Sequence, residues 1–124
     1  MTFVLAVAIG GAIGAPLRYL LDLFVTRRAS RYPGAREYPW GLLVVNTLGS
    51  ALAGIFFAAT SGDLQTLLIT GLCGALTTFS GFGWETTRLW ESFRSAAWAA
   101  ILTIPVACVA AAWLALRITS AILS

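Results

Sequence analysis

Three residues in this sequence pair a useful chemistry with a position deep in an apolar stretch: Asn46, Phe79 and Phe82. Asn46 carries two amide hydrogens and two carbonyl lone pairs, all of which need partners wherever water is absent. A carboxamide at that depth either makes an interhelical hydrogen bond or lines the path of a polar solute, and its N–H groups can donate to an anion. Phe79 and Phe82 are three residues apart, so on a helix their rings project to nearly the same side. Two phenylalanines are ordinarily core or lipid-facing. These two, however, follow directly on Gly74, Thr77 and Thr78, where a regular helix is disfavoured. An aromatic edge carries positive potential, and in such a place ring edges can line an anion's path without holding it too tightly to leave.

The interruption offers the complementary chemistry. Backbone that leaves the helix at membrane depth is tolerated only where protein or a water-filled cavity covers it. Carbonyls freed at Gly74 and Thr77 can coordinate a small cation, and Ser80 adds a hydroxyl that turns either its proton or its lone pairs to an ion. Arg18 and Glu85 are the remaining charges close to membrane depth. Snorkelling to the interface accounts for the first, and an ion pair or cap for the second, as alternatives to a role in an ion's entrance. There is no histidine, no paired acid and base, and no nucleophile with a base beside it, so the residues describe no enzyme. Cys73 and Cys108 stand in separate apolar segments and read as small buried hydrophobes.

The elements that must hold these residues follow from composition. The chain has 124 residues, 59% hydrophobic and 10% charged, with a mean hydropathy of +0.86, which describes an integral membrane protein. At about 20 residues per span the length accommodates four transmembrane helices and no soluble domain. One all-α domain over residues 1–124 is expected, multi-pass in the plasma membrane, with spans near 2–25, 38–60, 64–93 and 95–118. The third exceeds one span and is expected to consist of two half-helices joined by a break around 74–80. The first span lacks the basic start and short apolar core of a secretory signal and is expected to be retained. Gly10 and Gly14 form a Gly-x-x-x-Gly that admits close approach of another helix backbone. Asn46, Ser50, Ala53 and Phe57 share one face of the second span, Ala107, Ala111 and Ala115 are spaced for packing in the fourth, and Pro16 and Pro105 mark kinks. No internal repeat is visible, so any inverted repeat must come from a second subunit.

The net charge of +3 comes from arginines alone. They lie near span boundaries, where they set topology and anchor headgroups, and they form no nucleic-acid-binding face. Arg27, Arg28, Arg31, Arg36, Arg88 and Arg94 fall in the first and third loops, against Arg117 and the amino terminus opposite. This bias predicts one fixed orientation, with both loops cytoplasmic.

Three stretches resemble the small fluoride channels called Fluc or CrcB: Gly10-Gly11-Ala12-Ile13-Gly14-Ala15-Pro16-Leu17-Arg18-Tyr19, Trp40-Gly41-Leu42-Leu43-Val44-Val45-Asn46-Thr47-Leu48-Gly49-Ser50, and Gly71-Leu72-Cys73-Gly74-Ala75-Leu76-Thr77-Thr78-Phe79-Ser80-Gly81-Phe82. The resemblance implies an antiparallel dimer with two narrow fluoride pores that passively lower cytoplasmic fluoride and confer fluoride resistance. Asn46, Phe79, Phe82 and Ser80 would line a pore. Gly74 and Thr77 would give carbonyls to a structural, untransported sodium ion at the dimer centre, while Arg18 and Glu85 would supply vestibule or structural charge. One position departs from the family: its usual Phe-Ser-Thr-Phe reads Phe79-Ser80-Gly81-Phe82, which removes a hydroxyl at 81. With the charge bias, this predicts pairing with an oppositely oriented paralogue as an alternative to a homodimer, and keeps open a non-conducting partner subunit. A small multidrug-type cation transporter also uses four helices in an antiparallel dimer, but it needs a carboxylate midway along the first span, and none precedes Asp22.

Overall fold

A computed structural model describes residues 2–124, and the regular structure it describes is helical throughout. Helix α1 runs over Thr2–Ala29 and α2 over Trp40–Ala59. The third span begins with α3 (Gly62–Gln65), continues as a π-helix over Thr66–Cys73 and closes with α4 (Gly74–Leu76). Thr77 and Thr78 are extended, and α5 then resumes over Phe79–Ser92. Phe93 alone separates it from α6 (Arg94–Leu123). Four helical segments are long and apolar enough to cross a membrane, Phe3–Ala29, Trp40–Ala59, Gly62–Ser92 and Arg94–Leu123. The chain is therefore a four-span membrane protein with a third span bent at its break.

The helices depart from the expected bounds chiefly at three places, one of them the end of α6, which runs on past 118 to Leu123. Helix α1 continues one turn beyond the expected end, through Arg27 and Arg28, because arginine is a good helix former whose long side chain keeps its charge in the polar interface. The break is narrower than residues 74–80: Gly74 is helical in α4 and Ser80 is helical in α5, which leaves only Thr77 and Thr78 outside. Pro16 and Pro105 both lie inside helices that continue through them.

Small residues set the crossings. Gly10 and Gly14 meet the π-helix: a Cβ on Gly10 would fall 2.7 Å from the Leu72 nitrogen and 2.8 Å from the Gly71 Cα, and one on Gly14 would fall 3.0 Å from the Ala75 Cβ. The backbones of the first and third spans thus touch, as the Gly-x-x-x-Gly spacing predicts. Helix α2 lies against α6, where Gly54 faces the Ala112 and Leu116 backbone. The buried positions of α6 are Ala97, Ala100 and Ile104, while Ala107, Ala111 and Ala115 are half-buried. Leu42, Leu89, Ala97, Ala100 and Ile104 form the principal apolar cluster, with Phe82 and Tyr38 packed on it. The Tyr38 hydroxyl also meets the Thr103 hydroxyl, which ties the first loop to α6.

Gly10→Val is expected to destabilise the fold by about 3 kcal/mol, the upper end for overpacking, because the atoms it meets are backbone and cannot rotate away. Gly34→Ala, where nothing lies within 4 Å, should be neutral. Thermal unfolding of the detergent-solubilised protein checks both.

Candidate functional site

The break in the third span is held by one side chain from the second. Asn46 is 7% exposed. Its Oδ1 accepts from the Thr78 N–H at 2.7 Å and its Nδ2 donates to the Thr78 carbonyl at 3.2 Å. One residue of extended backbone is thus paired on both of its polar groups by a single carboxamide. Both readings of Asn46 are compatible with this arrangement, since one amide hydrogen is left over after the clamp is made.

Helix α5 starts with Thr78 as its N-cap: the Thr78 Oγ1 accepts from the Gly81 N–H at 3.0 Å, and the Ser80 hydroxyl lies 3.1 Å from the same oxygen. These two diversions have a consequence for the carbonyls. In an unbroken helix the Thr78 N–H would bond the Gly74 carbonyl, and the Gly81 N–H would bond the Thr77 carbonyl. Here the first goes to Asn46 and the second to the Thr78 hydroxyl. The two carbonyls singled out from the sequence are the ones that lose their helical partners to side chains.

Phe79 and Phe82 come together at 5.8 Å between ring centroids, tilted by 42°. They are not equivalent. Phe82 packs on the apolar cluster, whereas Phe79 is 85% exposed. Both rings line a cavity of about 260 Å³ with Asn46, Ser50, Thr77 and Thr78, closed on the α6 side by Ile104, Pro105 and Cys108. Gly49 makes room for the Thr77 methyl beside it.

A second cavity of about 450 Å³ adjoins the first and carries the charges. Arg18 and Glu85 both line it, with Asp22, Arg36, Glu37 and Arg88; Ser80 and Thr78 stand on its wall. Arg88 pairs with Glu85 at 2.7 Å, and the Asp22 carboxylate accepts from the Thr26 hydroxyl. Among the described residues, Arg18 has neither ion pair nor side-chain hydrogen bond. Arg88, expected in the third loop, is helical in α5, and it shares this cavity with Arg36 of the first loop.

Thr78 is the residue that sequence reasoning left unassigned, although it stood in the stretch identified as broken. It belongs to both cavities, clamps to Asn46 and caps α5. The legible signal is a threonine three residues ahead of Gly81, the spacing of an N-cap oxygen and the N–H that donates to it. Gly81 is tied to the same cap. A Cβ there would fall 2.8 Å from the Thr78 methyl and 3.4 Å from Leu42, so a larger residue at 81 has to move Thr78. Among the described residues no group of three His, Cys, Asp or Glu side chains is placed to hold a metal, so a cation at the break would depend on neutral oxygens.

Comparison with known proteins supplies the lineage. A family described as CrcB-like protein, Camphor Resistance (CrcB), matches residues 5–116. A protein of Nocardia farcinica (strain IFM 10152) called fluoride-specific ion channel FluC 1 is 51% identical over 67% of this chain, a match that spans 56% of the relative's own length. A protein called fluoride-specific ion channel FluC from Phocaeicola vulgatus is 39% identical, covering 74% of this chain and 76% of the relative. The Streptomyces avermitilis fluoride-specific ion channel FluC 1 is 41% identical, covering 74% and 73%. With a match over nearly its whole length, this four-span chain belongs to the CrcB family.

Proposed function

We propose that the chain is a subunit of a fluoride-specific channel, working in an antiparallel dimer, that lets fluoride leave the cell passively. The observation that carries this reading is the meeting of two cavities at Thr78, one bearing the unpaired Arg18 and the other walled by Asn46, Phe79 and Phe82. An anion drawn to the arginine-bearing cavity passes the Ser80 and Thr78 hydroxyls and reaches a place where the donors are an amide hydrogen and ring edges. Channels need sites strong enough to admit an ion and weak enough to release it, and ring edges are weak. The relatives' names support fluoride as the ion. An interior-negative potential of 100 mV favours exit of a monovalent anion by about 2.3 kcal/mol, so no coupled ion or nucleotide is needed.

The freed Gly74 and Thr77 carbonyls suit a hard cation of low charge, and we assign them to a sodium ion that serves structure and is not carried. When bound, it would supply a fixed positive charge near the anion's route. The exposed Phe79 ring and the outward-facing Gly83, with nothing within 4 Å of its Cβ position, favour a second subunit closing this face. Gly81 favours a second reading, in which this chain is a weakly conducting or non-conducting partner of an oppositely oriented paralogue, because the hydroxyl usual at 81 is missing from the route.

Two experiments test these readings. In liposomes holding the purified chain alone, and then with a candidate paralogue, fluoride efflux should exceed chloride efflux, and Phe79→Ile or Asn46→Asp should each lower it at least about tenfold. Asp cannot donate to the Thr78 carbonyl and adds a negative charge to the route. Wild-type flux in both variants would remove the assigned pore, and flux from the chain alone would remove the non-conducting partner.

Topology is tested separately with Ser124→Cys in a Cys73→Ala, Cys108→Ala background. Labelling of intact cells by an impermeant thiol reagent is expected to be nearly complete, with the C-terminus outside; comparable labelling from both sides would establish dual insertion and a homodimer.

A further inference from the structure

One face of α1 differs from the face that lines the arginine-bearing cavity. Leu17, Leu20, Leu21 and Phe24 share one face of the helix, being linked by three- and four-residue spacings, and Arg27, Arg28 and Arg31 continue the same stripe past the end of the apolar run. Together they line an open groove of about 650 Å³. The carboxylate of this helix, Asp22, lies with Arg18 and Thr26 on the other side, in the charged cavity. The groove therefore presents three guanidinium groups and no acid. Among the described residues none of the three has an ion pair or a side-chain hydrogen bond, and the Arg28 guanidinium rests over the Phe24 ring at 5.3 Å, at the junction of the apolar and basic halves.

The dimensions match one kind of molecule. From Leu17 to Arg28 the helix rises about 16 Å at 1.5 Å per residue, close to half of a hydrocarbon core about 30 Å thick. An apolar stripe about 10 Å long, from Leu17 to Phe24, that gives way to uncompensated arginines at about the depth of one leaflet complements the shape and charge of an anionic phospholipid. We propose that this groove seats one anionic phospholipid, its acyl chain along Leu17, Leu20, Leu21 and Phe24 and its phosphate on Arg27, Arg28 and Arg31. The site lies on the side of α1 away from the ion route, so it is independent of which ion the protein carries. Seating a lipid here would offset mutual repulsion of three neighbouring arginines and hold the last turn of α1 helical.

Native mass spectrometry of the purified full chain, equilibrated with equal amounts of phosphatidylglycerol and phosphatidylcholine, tests this. The wild type is expected to retain phosphatidylglycerol over phosphatidylcholine by roughly tenfold or more, given about fivefold per interfacial arginine. Arg27→Gln, Arg28→Gln, Arg31→Gln together should bring that preference close to unity. A charge-matched variant, Arg36→Gln, Arg88→Gln, Arg94→Gln, removes the same charge from the same end of the bundle and should keep it. Equal loss in the two triple variants would overturn the site in favour of diffuse surface charge, as would absence of a preference in the wild type. Displacement of the lipid by inorganic phosphate at equal concentration would overturn it in favour of a free-anion site. Should the first triple variant elute as an aggregate, Arg28→Gln alone is expected to lower the preference about fivefold, and an unchanged preference there also overturns the proposal.

Discussion

The pairing of Asn46 with both backbone groups of Thr78 is the interaction on which the rest of this molecule depends. A helix that stops inside a membrane strands N–H and C=O groups where water cannot reach them, and each such group costs several kcal/mol. The break survives because a neighbouring helix brings one side chain with a donor and an acceptor at matching spacing. Asn46 is fixed in turn by its place on α2, one of the best-packed parts of the chain, beside the buried Val45 and Gly49. Without the carboxamide, the Thr78 N–H and carbonyl would both lose their partners, at a cost of about 1–3 kcal/mol each. Rejoining α4 to α5 as continuous helix would recover those bonds, and it would also close the Gly74 and Thr77 carbonyls back into the ladder. The clamp thus both pays for the interruption and keeps it open.

The same logic explains why so many positions around the break are small. Thr77 leaves the helix with its methyl over Gly49, and Thr78 caps α5 with its methyl over Gly81. The threonine hydroxyls are engaged inside the chain, Thr77 with the Cys73 carbonyl at 3.0 Å and Thr78 with the Gly81 N–H. Two β-branched residues in succession favour extended backbone, and glycines at 49 and 81 leave room for their methyls. Gly81 is therefore part of a local fit as well as a missing hydroxyl. Restoring a side chain there would disturb the cap that diverts the Gly81 N–H from the Thr77 carbonyl, so the chemistry at 81 and the availability of that carbonyl are coupled.

Much of this architecture was legible in the sequence because the membrane imposes its signals coarsely. Twenty-residue apolar runs gave the four spans, the Gly-Thr-Thr-Ser composition marked the interruption, and Gly10 with Gly14 announced a close crossing. Other features had no sequence signal of that kind. The π-helix over Thr66–Cys73 lies in a run of apolar residues whose hydropathy does not change with the turn geometry, so periodicity could not reveal it. The partner of Asn46 is backbone, and backbone is the same in every residue. Propensity makes the break look wider than it is, because Gly74 and Ser80 are poor helix formers, yet Gly74 remains within α4 and Ser80 sits in the first turn of α5, where its hydroxyl meets that of Thr78. The end of α1 lies beyond the apolar run because the charge of its arginines is compatible with helix so long as the tips reach the interface.

The unequal settings of the two phenylalanines bear on what completes the site. A phenylalanine ring facing lipid is unremarkable in energy, so the exposure of Phe79 by itself decides nothing. Its neighbours do decide. Ser80 is exposed beside it, Gly83 presents bare backbone one turn on, and the Asn46 amide and Thr78 hydroxyl lie within the adjoining cavities. Polar groups and glycine backbone at this depth are poorly matched to hydrocarbon, which can neither hydrogen-bond them nor fill the notch closely. A second protein surface can do both. On the proposed reading, Phe82 is the ring already set by its own subunit's core, and Phe79 is the ring whose position waits on the partner. The conducting unit would then be assembled when the subunits meet, with the anion's path beside the interface. On that reading a weak anion site would lie next to a place for a fixed cation, so that the attraction needed to strip water from a small anion would come from the neighbouring charge while the contacts it touches remain easy to leave.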